Sequence, residues 1–198
     1  MASRRHRASR RRRTGLPLWF VGLTAVMAAQ RLGELALSRS RERELVGGRQ
    51  AAARSYPLMV AVHTALLTLP VVEVAALRRR PRAPLVWVGV LGAATLLRRW
   101  SIRTLGASWN ARAVVPSDLR PVAEGPYRLV RHPNYVAVAL EFLALPLAGG
   151  AWLSALGLSA LNALVLFDRI REEERLLAAI PGYEQALGGK ARFIPGIF

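Results

Sequence analysis

Cysteine is absent from the 198 residues, which excludes disulfides, thiolate metal sites and a sulfur nucleophile. Acids are scarce, with 12 Asp and Glu against 29 Lys and Arg, and Lys190 is the only lysine, a bias without mechanistic weight. The three histidines, at 6, 63 and 132, are too scattered to form a facial metal set. Neither a Walker motif nor a GxGxxG loop after a strand occurs, so a nucleotide-like cofactor would have to be held outside a Rossmann fold.

What is present pulls in two directions for a soluble domain: 53% of the residues are hydrophobic, yet the net charge is +17. A soluble nucleic-acid binder could be this basic, but it would not carry several apolar runs approaching a bilayer span. Membrane residence reconciles both features, because cationic ends suit anionic headgroups, and no nucleic-acid partner is expected. Seven arginines in the first 13 residues, followed by an apolar run from Leu16, imitate a signal peptide. That run is long, contains Gln30, Arg31 and Glu34, and lacks a small-residue cleavage site, so it reads as a retained helix. The tail 1–14 is expected to be disordered and drawn to headgroups.

Four stretches are apolar enough to matter: Leu16 to Leu37, Tyr56 to Leu77, Pro84 to Leu105 and Tyr135 to Phe167. The last is too long for one span, and Gly149–Gly150 after Pro146 offers a break into a helical hairpin. The expectation is an all-α, polytopic bundle of about five transmembrane helices, the last two forming the hairpin. The third stretch is the weakest, needing Arg98 and Arg99 to snorkel before it reaches ~20 residues. A polar, turn-rich segment, Gly106 to Arg131, precedes the hairpin. A charged helix, Asp168 to Ile180, is predicted after it, ended by Pro181 and Gly182. If the hairpin returns to its starting face, these two polar segments meet. The chain thus divides into the tail, membrane helices over 15–105 and a catalytic half over 106–198. The five-helix arrangement puts 11 positive charges on the N-terminal side and 17 on the other, which favours a cytoplasmic C-terminal half in a bacterial inner membrane.

The densest group of chemistry-bearing residues is "GPYRLVRHPNY", Gly125 to Tyr135, where turn-forming dipeptides bring aromatic, imidazole and guanidinium groups together. An interfacial loop anchored by Tyr and Arg would look similar. The second group is "DRIREEERLL", Asp168 to Leu177, in which Asn162, Arg169 and Glu173 share one helix face. Alone it reads as a solvated face; the hairpin is what turns it toward the first group. Glu34, His63, Glu73, Glu141 and Asn162 fall inside spans, where an ionisable group is a functional candidate by default. Glu141, seven residues after Asn134, is aimed along its helix face toward the first group. Glu34 is expected to pair with Arg31 or another helix, and His63 to be a satisfied bundle histidine.

Together, "GPYRLVRHPNY", an apolar hairpin and "RIREEERLL…PGYEQ…ARFIP" resemble the isoprenylcysteine carboxyl methyltransferase family and its phospholipid-methylating relatives, over roughly Leu105 to Pro195 and including "LGASWN". The resemblance implies a membrane bundle whose C-terminal half encloses S-adenosylmethionine. It assigns cofactor contacts to Tyr127, His132, Pro133, Asn134, Tyr135 and Glu173, and backbone contacts to Leu119, Arg120, Pro121 and Val122. Arg169 matches the arginine that faces the acceptor, and Glu174 completes an acidic pair. These residue types suit a ligand that combines a sulfonium, an ammonium, a carboxylate and an adenine.

A prenylcysteine carboxylate is already ionised, whereas a phenol or enol near pKa ~10 gains from a base, a role for which Glu141 is placed. "RHPNYVAVALEF" also looks like bacterial family members associated with type III polyketide synthases, thought to O-methylate alkylpyrones or alkylresorcinols. The reading is therefore methyl transfer to a lipophilic small-molecule acceptor, a phenolic or pyrone lipid, among membrane lipids. Carboxyl methylation of a prenylcysteine, N-methylation of a phospholipid, and a non-catalytic scaffold or transporter are the alternatives.

Overall fold

A computed structural model describes residues 15–43, 49–51, 53–116 and 119–196; the expectation for the arginine tail 1–14 lies outside the described residues. Five α-helices dominate: α1 (Leu18–Glu42), α2 (Tyr56–Leu77), α3 (Pro84–Leu105), α4 (Pro133–Gly149) and α5 (Trp152–Leu177). Proline at the first turn starts α2, α3 and α4, where its missing N–H is no loss. A left-handed Arg78 ends α2, and left-handed glycines follow α3 and α4 at Gly106 and Gly150. The weak third stretch is one unbroken helix. Among the described residues, strand is limited to a two-residue antiparallel pairing, β1 (Arg49–Gln50) with β2 (Val114–Val115).

Four helices, α1, α2, α3 and α5, are long and apolar enough to cross a membrane, while α4 has 17 residues and spans about 25 Å. The chain is an all-α polytopic membrane bundle. The charged helix expected over 168–180 is not separate: nothing between Phe167 and Asp168 breaks the backbone, so α5 continues to Leu177. At 26 residues, α5 is about 39 Å long, against a hydrocarbon core of about 30 Å. Its charged turns therefore project beyond the apolar layer.

In a bilayer the hydrophobic effect does not press helices together, so close packing of small residues must. The hairpin supplies them: Ala137, Ala144, Ala148, Ala151 and Ala155 are fully buried. Gly149 faces the Phe20 ring so closely that a Cβ would stand 2.4 Å from it, and Gly150, at φ +86°, presses on the backbone of Arg80 and Pro81. α4 is the central helix, packed against α3, α5 and α2. Phe20, Leu66, Phe142 and Leu145 fill the middle, while Leu18, Val26, Leu85, Leu164 and Phe167 point outward, as lipid-facing residues should.

The hairpin turn, the 78–83 connection and the start of α1 lie at one end of the bundle. At this end Glu73 of α2 accepts hydrogen bonds from the backbone N–H groups of Leu153 (3.2 Å) and Ser154 (2.7 Å) and from the Ser154 hydroxyl (2.7 Å). An intramembrane carboxylate thus satisfies the otherwise orphaned donors of α5's first turn. Glu73, singled out in the sequence as a functional candidate, is a helix cap.

Candidate active site

At the opposite end, the 106–132 segment, the start of α4, the end of α5 and the C-terminal tail converge. Gly125, at φ +53°, allows the Gly125–Arg128 3-10 turn to lie against Thr104 and Trp100 of α3, where a Cβ would meet the Thr104 Oγ1 at 2.5 Å. Tyr127 is buried there. Burial, and secondarily the nearby Glu173 carboxylate, raise its phenol above the ordinary range, so it stays a neutral donor.

The tail clamps this loop. The backbone N–H groups of Arg131 and His132 donate to the carbonyls of Ala191 (2.9 Å) and Arg192 (3.0 Å). Lys190 Nζ donates to the Tyr127 carbonyl at 3.1 Å. His132 Nε2 lies 3.1 Å from Glu174 Oε1, and Arg192 Nη2 donates to Glu174 Oε2 at 2.6 Å, which holds the Arg192 guanidinium firmly charged. Three residues beyond His132, the Tyr135 hydroxyl donates to Glu173 Oε2 at 2.5 Å. His132 and Glu173 therefore lie at the same end of the bundle, as a returning hairpin requires. Tyr183 is buried in the tail, and burial pushes its phenol up to about 12.

Deeper in, a chain of charges joins three helices. Glu141 of α4 pairs with Arg31 of α1, Arg31 Nη1 donates to Glu34 at 2.7 Å, and Arg98 Nε of α3 donates to both Glu34 oxygens at 2.9 Å. Arg98 Nη1 then donates to Asn134 Oδ1 at 3.0 Å. Two acids balance two guanidinium groups, so the chain is neutral, as ionisable groups inside a bilayer must be. Glu34 meets both expected partners at once, Arg31 and another helix.

These groups surround a cavity of about 380 Å³, a size typical of small-molecule sites. Leu119, Arg120, Pro121, Val122, Tyr127, His132, Asn134, Tyr135, Arg169 and Glu173 all line it. Pro133 and Glu141 do not. Pro133 fixes the first turn of α4. Glu141, with 0% exposure, lies behind the wall, its Oε2 held by Arg31 and its Oε1 buried without a partner. The sequence aimed it toward the first group as a base, whereas the structure commits it to Arg31. Asn162 is buried but does not reach the cavity, although it shares a face with Arg169.

The cavity draws its wall from both sides of residue 105. A polar lobe lies among α4, α5 and the tail, and an apolar lobe is formed by Ala28, Leu32, Met59, Val60 and Leu67 of α1 and α2. Leu32 and Val60 also reach the outer surface, so this lobe borders the lipid. Arg169 is only 3% exposed, yet it has one hydrogen bond of standard geometry, from Nη2 to the Ala111 carbonyl at 3.0 Å. Its Nε and Nη1 are buried and make none, and the Tyr135 phenol is its neighbour. Two buried donors without partners are an uncommon state for a guanidinium, and they lie behind the wall that the side chain lines.

The place of Arg31 and Arg98 at the site and the Trp109–Val115 wall escaped sequence reading, which gave Arg31 only as a partner of Glu34 and expected Arg98 to snorkel, whereas it is buried on Glu34 and Asn134. The two arginines left a signal, since an arginine inside an apolar span requires a partner. The wall is held by Asn110, whose side chain brackets Val114 through both N–H and C=O (2.7 and 2.9 Å), and by Ser38 of α1, which accepts from the Ala111 N–H at 2.8 Å.

With this geometry in view, two comparisons agree. The family model for the isoprenylcysteine carboxyl methyltransferase (ICMT) family matches residues 87–179, from within α3 to just beyond α5. A Bacillus subtilis (strain 168) protein carrying the name Uncharacterized protein YpbQ is 31% identical over 160 residues, covering 78% of this chain and 94% of that protein. The chain belongs to the ICMT family. Membership makes it a multi-pass membrane methyltransferase, and the matched stretch contains the His132 loop, the hairpin and the Arg169–Glu174 turn.

Proposed function

We propose that the cavity binds S-adenosylmethionine in its polar lobe and presents the head of a lipophilic acceptor, a phenolic or pyrone lipid, for O-methylation. The observation that carries this reading is Arg169, a buried guanidinium whose side chain lines the cavity with a single hydrogen bond of standard geometry and two nitrogens left without partners behind that wall. When bound, the cofactor supplies an electrophilic methyl group on a cationic sulfonium. Glu173 offers a carboxylate to positive charge, Tyr127, Tyr135 and His132 offer aromatic faces and polar atoms, and Asn134 offers an amide oriented by Arg98. Leu119, Arg120, Pro121 and Val122 form the adjoining wall, and Pro133 sets the loop that carries His132 and Asn134.

Arg169 presents its guanidinium to the acceptor oxygen, a small turn of the side chain bringing an unpartnered nitrogen out of the wall. The apolar lobe keeps the acceptor's chain beside the bilayer and excludes water from its head. Alignment of this kind contributes up to ~7–11 kcal/mol in favourable cases. Glu141 supports the site indirectly, fixing Arg31 and through it Glu34 and Arg98. The site end faces the cytoplasm of a bacterial inner membrane, in keeping with the sequence count of 17 positive charges in the loops and segments on its side against 11 in the N-terminal tail and the 78–82 loop.

Calorimetric titration of the detergent-solubilised chain with S-adenosylmethionine tests the cofactor assignment. Saturable heat is expected from the wild type. Glu173→Ala should weaken binding at least ~10-fold, the worth of one hydrogen bond to a charged group. A wild type giving no saturable heat would favour a scaffold or transporter. Labelled-methyl assays with phenolic lipid, prenylcysteine and phospholipid amine rank the acceptors.

A further inference from the structure

His63 of α2 lines the cavity and is only partly buried, unlike the packed middle of its helix. Its Nδ1 lies 2.9 Å from the Met59 carbonyl one turn earlier. A carbonyl oxygen can only accept, so Nδ1 carries the proton and, in the neutral ring, Nε2 holds the lone pair. The ring is fixed edge-to-face against Phe142, centroids 5.0 Å apart at 83°. Among the described residues Nε2 makes no hydrogen bond, and it keeps accessible surface in a residue that lines the cavity.

The neighbours of His63 on the wall are the apolar Met59, Val60 and Leu67 and Thr64, whose hydroxyl donates to the Val60 carbonyl at 2.9 Å. The charged groups that act on it are Arg31, Arg98 and Arg169, all donors. The acceptor lobe thus sets a fixed imidazole acceptor, on His63, in a wall that also carries the guanidinium groups of Arg31, Arg98 and Arg169. A hydroxyl both donates and accepts, and satisfies the two at once. A carboxylate satisfies Arg169 but leaves the imidazole lone pair facing a second lone pair.

We propose that His63 is a specificity-determining residue that accepts a hydrogen bond from the hydroxyl of the methyl acceptor and so selects a phenolic or enolic lipid over a carboxylate. This rests on the reading of the cavity as an acceptor site and narrows the class it takes. The methylated product has lost the donor that His63 reads, so the same contact favours exchange of product for fresh substrate.

The test uses the full solubilised chain without cofactor, titrated calorimetrically with an alkylresorcinol and with its fully O-methylated ether. The wild type should prefer the free hydroxyl form about tenfold, the worth of one buried hydrogen bond. His63→Phe should bind both alike, while His63→Gln, whose amide oxygen can accept, should keep part of the preference. Equal S-adenosylmethionine binding by all three proteins certifies the fold. Equal affinity of the wild type for phenol and ether, or a preference that survives in His63→Phe, overturns the assignment. A methylation assay separates the two levels. Resorcinol turnover with the preference intact in His63→Phe defeats the role of His63 alone, whereas turnover of prenylcysteine and none of resorcinol defeats the acceptor class and His63's role with it.

Discussion

Both ends of the bundle bury a carboxylate borne by a helix, and they use it in different ways. At the closed end Glu73 spends its acceptors on the first turn of α5, joining α2 to the hairpin. At the open end Glu34 and Glu141 hold two arginines, and one of these, Arg98, in turn holds a residue of the cavity wall, Asn134. The lesson is that an acid inside a membrane span is functional by default only until its partners are known. Backbone N–H groups identify a cap, and a chain of side chains ending on a cavity identifies support for a site.

Substitutions at the two ends should therefore fail differently. The largest effect is expected at Arg169. Arg169→Ala should lower kcat/KM for the methyl acceptor at least ~100-fold, since a buried charged donor contributes several kcal/mol, with much smaller change in cofactor affinity. Paired kinetic and calorimetric measurements check this, and an equal loss of cofactor binding would reassign Arg169 to the polar lobe. Glu73→Ala comes next. It should cost ~1–3 kcal/mol of stability by leaving helix donors unpaired, read as a lower unfolding midpoint in detergent, with methyl transfer per folded molecule unchanged. If turnover fell while the midpoint held, the two ends would not be separate.

The smallest effect concerns the tail. The Tyr183 phenol is raised to about 12 by burial, so the folded form keeps its proton where the unfolded chain, near 10, loses it. Its contribution is whole below about pH 10 and disappears as pH rises toward 12. Tyr183→Phe should flatten that part of a stability-versus-pH curve, and an unaltered slope would mean the tail is not docked as described.

The hairpin was legible because Gly149 and Gly150 carry two demands that a sequence displays, a left-handed turn and room for close packing. The meeting of His132 and Glu173 at one end followed from it. The continuation of α5 was legible only in part: the shared face of Asn162, Arg169 and Glu173 presupposes it, but a change from apolar to charged was read as a helix start, although it marks where a helix leaves the bilayer. Glu141 misled for a related reason. Periodicity gives the face of a helix but not which neighbour reaches that face first, and Arg31 sits 110 residues away in the chain. The β1–β2 pairing, two residues on each side, is too short to leave a pattern.

The strap formed by residues 190–192 on the His132 loop has a consequence for biogenesis. Those residues leave the ribosome after all five helices, so the helices can enter the lipid before the His132 loop has its clamp.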